Sequence, residues 1–168
     1  MNLRTISRAF LNDLATKADA SPRMRTNFNF HEDAESLVQR LVLQLKRGTY
    51  IRPHRHYDLK KWEMTLVLAG EIDILLFDNH GRIIERMRLA ANGETLAVEL
   101  LPETWHSYVP VTDHVAFFEV KEGPYDAARI TQFADWAPAE NAAAAAAYLR
   151  WMETAQANDS FSNAGAAR

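Results

Sequence analysis

Residues 48–56 read Gly48-Thr-Tyr-Ile-Arg-Pro-His54-Arg-His56, and a later segment begins at Glu63. Side chains two positions apart on a β-strand point to the same side, so a strand here would direct the imidazoles of His54 and His56 towards one point. A hairpin after this strand would bring Glu63 back beside them, and His106 is a further candidate imidazole. The pattern predicts a metal site whose ligands are His54, His56, Glu63 and His106.

The available donor atoms restrict which metal such a site would take. The chain has no cysteine, so a metal ion must be held by His, Asp or Glu. Three imidazoles and one carboxylate suit one divalent transition metal ion, Fe, Mn, Ni, Co, Zn or Cu, rather than Ca or Mg. Four protein ligands leave one or two positions open on a five- or six-coordinate ion, which is typical of a catalytic or ligand-binding site.

The hydrophobic pattern outside this stretch is mostly that of short strands. Apolar and polar residues alternate through much of 23–125, and turns rich in Gly, Pro and Asn separate the segments. This predicts an antiparallel all-β body such as a double-sheet jelly roll. Helical spacing predicts an amphipathic helix over 1–20, and an alanine-rich stretch predicts a second helix over 138–157. Residues 158–168 are expected to be flexible.

Composition argues against several classes of function. The 168 residues carry 19 Lys and Arg against 22 Asp and Glu, a net charge of −3, and no basic run, which argues against nucleic acid or an anionic membrane as a partner. No apolar stretch is long enough for a membrane span and the N-terminus lacks the pattern of a secretory signal, so we expect a cytoplasmic protein. The length predicts one domain over 1–168.

Two groups of residues resemble the motifs of the cupin superfamily. The first motif is matched by Gly48, His54, His56, Glu63 and Gly70, and the second by Gly93, Pro102 and His106. The spacer between His56 and Glu63 is longer than in most of the family. Asp58 is therefore an alternative to Glu63 as the carboxylate ligand.

Four longer strings carry a closer resemblance, to the WbuC-type cupin-fold metalloproteins. They are Arg25-Thr-Asn-Phe-Asn-Phe-His31, Arg52-Pro-His-Arg-His56, Phe118-Glu-Val-Lys-Glu-Gly-Pro-Tyr125 and Phe133-Ala-Asp-Trp-Ala-Pro-Ala-Glu140. The resemblance implies a cupin jelly-roll (double-stranded β-helix) barrel with flanking N- and C-terminal helices, a bound metal ion and a homodimer. The family takes its name from gene clusters for O-antigen and other surface polysaccharides, which implies a carbohydrate-related ligand.

Polar side chains near these motifs are candidates for ligand binding and proton transfer. Candidates for binding are Arg25, Asn27, Asn29, Arg52, Tyr108 and Tyr125, and candidates for catalysis are Glu119, His31 and Lys121. Arg52 lies two residues before His54 and is expected to point into the same cavity. The simpler alternatives are the solvated face of an edge strand for 25–31 and a cross-strand ion pair for Glu119 and Lys121.

These features together predict a mononuclear metal-binding cupin that binds or transforms a small carbohydrate, or an anionic sugar derivative with a carboxylate or phosphate group. As an enzyme it would be a metal-dependent isomerase, epimerase or lyase that uses the ion as a Lewis acid. The alternatives are an Fe(II)-dependent dioxygenase, a non-catalytic module that binds a small molecule, and a cupin that has lost its metal.

Overall fold

The structure is a computed structural model that describes residues 3–56, 61–125 and 131–162. In these residues a set of strands lies between two helices. The elements in chain order are α1 (Arg8–Ala20), β1 (Arg25–Asn29), β2 (Val38–Lys46), β3 (His54–His56), β4 (Glu63–Ala69), β5 (Glu71–Phe77), β6 (Ile83–Ala90), β7 (Ala97–Leu100), β8 (Trp105–Pro110), β9 (His114–Glu122), β10 (Thr131–Phe133) and α2 (Ala145–Thr154). The prediction of an all-β body with flanking helices is confirmed.

The strands form two antiparallel sheets, each with five strands in the described ranges. The first sheet has the order β1-β2-β9-β4-β7, and the second has the order β10-β3-β8-β5-β6. In the second sheet, His54 of β3 lies directly opposite His106 of β8. In the first sheet, Glu63 of β4 lies opposite Lys121 of β9. The jelly-roll topology therefore brings residues that are distant in sequence onto the walls of one interior.

Alternation along the strands gives each sheet an inner and an outer face. Ile72 and Ile74 of β5 point inwards and pack with Leu45 and Phe117 of the other sheet. Leu75, on the opposite face of β5, packs in a separate core that includes α2. Burying each of these side chains fully contributes about 1.5–3 kcal/mol. The apolar residues fill part of the barrel, and the polar residues described below line the rest.

α1 packs on the outside of the first sheet. The helix begins at Arg8, and Oγ of Ser7 caps it by accepting a hydrogen bond from the backbone N–H of Phe10. Leu11 and Leu14 pack against Val42 on the outer face of the sheet. The predicted start at residue 1 is wrong, because residues 3–7 are not helical. No helix in the described part of the chain is long and apolar enough to cross a membrane.

The C-terminal part of the chain differs from the prediction in three respects. β10 pairs with β3, so the barrel continues past the predicted boundary at residue 125. α2 is shorter than the predicted 138–157. Ala144 at its N-cap supplies no side-chain hydrogen bond to hold the first turn, and helix propensity alone does not extend a helix that lacks packing contacts. The segment after α2 is docked as far as Phe161, since the backbone of Asn158 and Asp159 pairs with that of Ile83 and the ring of Phe161 packs on α2. The prediction of a flexible end is therefore wrong for 158–161.

Phe161 anchors this docked segment. Its ring centroid lies 4.8 Å from that of Tyr148 and 5.6 Å from that of Trp151 on α2. We expect Phe161→Ala to lower the free energy of unfolding by about 1–2 kcal/mol, less than for a fully buried Phe, because the ring is only partly buried. Urea unfolding measures the change. Leu3→Ala is the control: its side chain is 69% exposed, and we expect a change below about 0.5 kcal/mol. Equal free energies of unfolding for the two variants would contradict the docking of Phe161 on α2.

Candidate metal centre

Three histidines converge inside the barrel. His54 and His56 lie on β3, and His106 lies on the neighbouring strand β8. One ring nitrogen of each lies within 4.8 Å of those of the other two. His56 and His106 are buried, and His54 is half-buried. A bond between a metal ion and an imidazole nitrogen is about 2 Å long, so two nitrogens on one ion lie at most about 4 Å apart, and rings this close could share one ion with small shifts of the side chains.

Backbone carbonyls fix the orientation of two of these imidazoles. Nδ1 of His54 lies 3.0 Å from the carbonyl oxygen of Arg52, and Nδ1 of His106 lies 2.9 Å from that of Thr104. A carbonyl can only accept, so each Nδ1 carries the proton and each Nε2 keeps a free lone pair. Nε2 of His106 is buried and has no hydrogen-bond partner among the described residues. A buried nitrogen held in this state fits a metal ligand.

Glu63 reaches the histidines from the opposite sheet. Its Oε2 lies 2.7 Å from Nε2 of His56, and its Oε1 lies 4.0 Å from Nε2 of His106. Tyr108 donates a hydrogen bond of 2.9 Å to Oε1 and holds the carboxylate in place. Burial alone would raise the pKa of Glu63, but the hydrogen bond with His56 and the charge of Lys121 lower it well below its ordinary value. Asp58, the alternative ligand, lies outside the described residues.

Burial keeps the imidazoles of His54 and His106 neutral. It lowers the pKa of His54 well below its ordinary value, and the neighbouring histidines lower it further. It also lowers the pKa of His106, although the charge of Glu63 opposes the shift. A metal ion binds neutral imidazole and not imidazolium. The surroundings therefore keep both rings able to bind a metal ion at neutral pH.

Glu119 and Lys121 form an ion pair beside Glu63. Nζ of Lys121 lies 2.6 Å from Oε1 of Glu119. Burial and the charge of Glu63 raise the pKa of Glu119. Burial alone would lower the pKa of Lys121, but the charges of Glu119 and Glu63 raise it. Lys121 is therefore a cation inside the barrel, and Glu119 holds a proton more tightly than an exposed carboxyl does.

A cavity of about 730 Å³ opens onto this cluster. Its volume lies within the about 300–1,000 Å³ that is typical of small-molecule sites. The lining includes His54, His56, Glu63, Tyr108, Glu119, Lys121, Arg23, Arg25, Asn27, Asn29, His31, Tyr125, Phe133 and Glu140. Both sheets contribute to this wall, so the cavity depends on the whole barrel.

The polar face predicted for β1 lines this cavity. Arg25 forms an ion pair with Glu140 and is not free for a ligand. Asn27 donates a side-chain hydrogen bond of 2.7 Å to Asn29, and both amides are exposed. The strand is thus a wall of the site as well as an edge of the sheet.

His31 lies apart from the three-histidine cluster. Its Nδ1 is 3.0 Å from both the backbone nitrogen and the backbone oxygen of Arg40. It lines the cavity. The group of potential ligand atoms that lie within 4.8 Å of one another in the described residues consists of His54, His56 and His106, and it leaves out both His31 and Glu63, although Glu63 contacts His56 directly. His31 is placed to meet a ligand rather than to bind the same ion.

Of the other predicted binding residues, Tyr108 and Tyr125 line the cavity and Arg52 does not. The side chain of Tyr125 is 42% exposed and can meet a ligand, but the hydroxyl of Tyr108 is already hydrogen-bonded to Glu63 and Thr65. Arg52 donates instead to the carbonyl of Ala134, at 2.6 Å, and is not part of the cavity wall. The expectation that Arg52 shares the cavity with His54 is wrong, because β3 begins only at His54 and strand alternation does not extend back to residue 52.

Sequence reasoning missed Arg23, Phe133 and Glu140 as cavity residues. Glu140 contacts Arg25 across a separation of 115 positions, and no local pattern indicates such a contact. Phe133 belongs to β10, which is too short to show a recognisable alternation. The only signal was that both residues lie in a string that resembles the WbuC-type proteins.

The chain matches the model of one protein family. The model of a family described as a domain of unknown function (DUF6016) matches residues 6–89, which is half of the chain. The chain belongs to this family. The matched span includes His54, His56 and Glu63 and ends before His106. No curated protein matches the chain.

Solved structures share the fold. A Klebsiella pneumoniae protein with a double-stranded β-helix domain is 16% identical, with a TM-score of 0.55 over 80% of this chain and 99% of that one. CapF, a capsular polysaccharide assembling protein of Staphylococcus aureus, is 20% identical, with a TM-score of 0.56 over 67% of this chain and 32% of its own. Oxalate oxidase in complex with the substrate analogue glycolate is 12% identical, with a TM-score of 0.52 over 68% of this chain and 57% of its own.

Identities this low show the fold alone. This DUF6016 protein is a cupin-fold, double-stranded β-helix barrel, as the two motifs predicted. The closer WbuC-type assignment stays a prediction.

Proposed function

We propose that this protein is a mononuclear metal-binding cupin. His54, His56, His106 and Glu63 would hold one divalent transition metal ion, and the cavity would hold a small oxygen-rich ligand beside it. The donor set suits Fe, Mn, Ni, Co or Zn. One observation carries the proposal: Nε2 of His106 is buried without a partner among the described residues, while the carbonyl of Thr104 holds the same ring through Nδ1.

The side chains around the centre suit proton transfer on a bound ligand. When present, the ion would supply a Lewis acid for a ligand oxygen. Lys121 contributes a positive charge that stabilises negative charge developing on the ligand. Glu119, with its raised pKa, is suited to take up and return a proton, and His31 is a second candidate for that role. These roles match an isomerase, epimerase or lyase.

The neutral part of the cavity wall favours a carbohydrate. Asn27, Asn29 and His31 offer donors and acceptors for hydroxyl groups, and the rings of Tyr125 and Phe133 are partly exposed. We infer a small carbohydrate or sugar derivative of surface-polysaccharide metabolism as the ligand, and a cytoplasmic homodimer as the working form. The WbuC-type resemblance supports this context. Light scattering coupled to size-exclusion chromatography tests the dimer.

Elemental analysis of protein purified without an affinity tag or chelator tests the metal site, and we expect one ion per chain. Turnover of candidate sugars with that ion present would distinguish an enzyme from a binding module. Oxygen uptake in the presence of Fe(II) would favour the dioxygenase alternative instead.

Tyr108→Phe removes the hydroxyl that holds Glu63 and keeps the ring. We expect metal affinity to fall about 10-fold, at the lower end of the about 10–100-fold contributed by groups that orient metal ligands. Competition with a chelator of known affinity measures the change. Tyr50→Phe is the matched control, because its hydroxyl donates to the carbonyl of Pro138 and does not contact Glu63. Equal metal affinities in the two variants would rule out this role for Tyr108.

A further inference from the structure

Two guanidinium groups of the cavity wall bind one carboxylate of the chain itself. Nε and Nη2 of Arg23 donate to Oε2 and Oε1 of Glu140, both at 3.0 Å, which is a bidentate pair. Nη2 of Arg25 donates to the same Oε1. All three residues line the cavity. The two arginines therefore form a site with the geometry for a carboxylate or phosphate group, and Glu140 fills it.

Arg25 is fixed in this position by further contacts. Its side chain is 13% exposed, and its Nη1 donates to Oγ1 of Thr49 at 3.1 Å and to the carbonyl of Tyr50 at 3.0 Å. Thr49 in turn donates to the carbonyl of Arg23, at 2.7 Å. A guanidinium this deeply buried is costly without a counter-ion. The site thus requires an anion, and Glu140 meets that requirement from within the chain.

An external anion would have to displace this tethered carboxylate. A group held on the same chain competes at an effective concentration in the millimolar range or above. Lys121, the other Lys or Arg that lines the cavity among the described residues, is paired with Glu119. A ligand that carries only hydroxyl groups does not need these cations, so it meets no such competition.

We propose that Glu140 determines which ligands the cavity accepts. By occupying the site formed by Arg23 and Arg25, it excludes ligands with a phosphate or carboxylate group at this position and favours ligands that present hydroxyl groups there. The inference rests on the proposed function in taking this cavity as the ligand site. It narrows the ligand class from sugars and anionic sugar derivatives to sugars and polyols that carry no phosphate or carboxylate group at the Arg23–Arg25 end of the cavity.

Titration of the full chain with inorganic phosphate tests this role. Glu140→Gln keeps the shape of the side chain and removes its charge, so we expect phosphate to bind at least about tenfold more tightly than to the unchanged protein. Calorimetry at constant ionic strength, with chloride as the background anion, measures the affinity. Glu85→Gln makes the same charge change at an exposed position outside the cavity wall and is expected to bind phosphate as the unchanged protein does.

Two further variants separate charge from packing. Glu140→Asp retains the charge and is expected to keep excluding phosphate. Arg25→Gln, added to Glu140→Gln, is expected to abolish the gain in affinity. The proposal is overturned if Glu140→Gln gains no more phosphate affinity than Glu85→Gln, or if Glu140→Asp gains as much as Glu140→Gln. It is also overturned if the gain in phosphate affinity survives the loss of Arg25.

The unchanged protein provides a test that needs no variant. Phosphate binding to the chelator-treated protein with a dissociation constant below about 1 mM would overturn the exclusion. Two guanidinium groups bind phosphate without a metal ion, so the titrations are made on chelator-treated protein as well as on protein as purified. A chain that binds no metal would overturn the proposed function and leave the expected phosphate affinities unchanged.

Discussion

The double variant His54→Ala/His106→Ala is expected to contain less than about 0.1 metal ion per chain, against about one in the unchanged protein. Both rings are held through Nδ1 by backbone carbonyls and direct Nε2 inwards, so their loss leaves His56 and Glu63 as the remaining candidates for ligands among the described residues. Groups that merely orient a ligand contribute about 10–100-fold to metal affinity, and the loss of two ligands exceeds that. Mass spectrometry of the elements in purified protein measures the content.

His80→Ala is the control for this experiment, because His80 lies in the exposed turn between β5 and β6. It is expected to retain the full metal content. A chelator should lower the free energy of unfolding of the loaded protein by about 3–4 kcal/mol, for an ion present at about 100–1,000 times its dissociation constant, and should not affect the double variant. Metal retained in the double variant would refute the site. So would an unchanged protein that stays empty after reconstitution with Fe(II), Mn, Ni, Co and Zn.

The parts of the fold that follow from local pattern were predictable from the sequence. Strand alternation places alternate side chains on one face, which is why the bodies of β2, β4, β5 and β9 were recognisable. The same rule brought His54 and His56 together. His106 could be joined to them only through the spacing of a second motif, because its pairing with His54 across β3 and β8 leaves no local trace.

The parts that depend on distant contacts were not predictable in this way. Arg52 was assigned to the cavity by alternation, but the residues before His54 are not part of the strand, and its guanidinium turns to Ala134. Residues 158–161 belong to the C-terminal segment that was expected to be flexible. They are docked because Phe161 meets the aromatic residues of α2. Glu140 is a similar case, since both of its partners lie near the other end of the chain.

Asp73→Asn is expected to lower the free energy of unfolding by about 3 kcal/mol and the midpoint of thermal unfolding by about 6–12 °C. Asp73 is 2% exposed, and its Oδ2 accepts hydrogen bonds from Nε and Nη2 of Arg86. Its Oδ1 accepts one from Arg88. Breaking a buried ion pair on one side leaves the other charge without compensation, and this is why the expected loss is large.

Arg86 connects this ion pair to the C-terminal end of α2. It donates to the carbonyls of Met152, Glu153 and Ala155, at 2.7, 3.0 and 2.8 Å. Carbonyls at the C-terminal end of a helix have no backbone N–H partner within the helix, so Arg86 supplies the donors that they lack. Positive charge at this end also stabilises the helix dipole. Removing the charge of Asp73 should therefore loosen the docking of α2 on the outer face of β5 as well as weaken the pair.

Glu71→Gln is the matched control, because the pair of Glu71 with Arg88 is largely exposed and such pairs contribute at most about 1 kcal/mol. Both variants are expected to keep one metal ion per chain, since Asp73 lies on the side of β5 that faces α2 and does not line the cavity. Thermal and urea unfolding measure the stability. An unfolding midpoint for Asp73→Asn equal to that of Glu71→Gln would mean that Arg88 and the helix carbonyls hold Arg86 without Asp73. A loss of metal in Asp73→Asn would mean that the outer face of the second sheet and the metal site are coupled through β5 and β8.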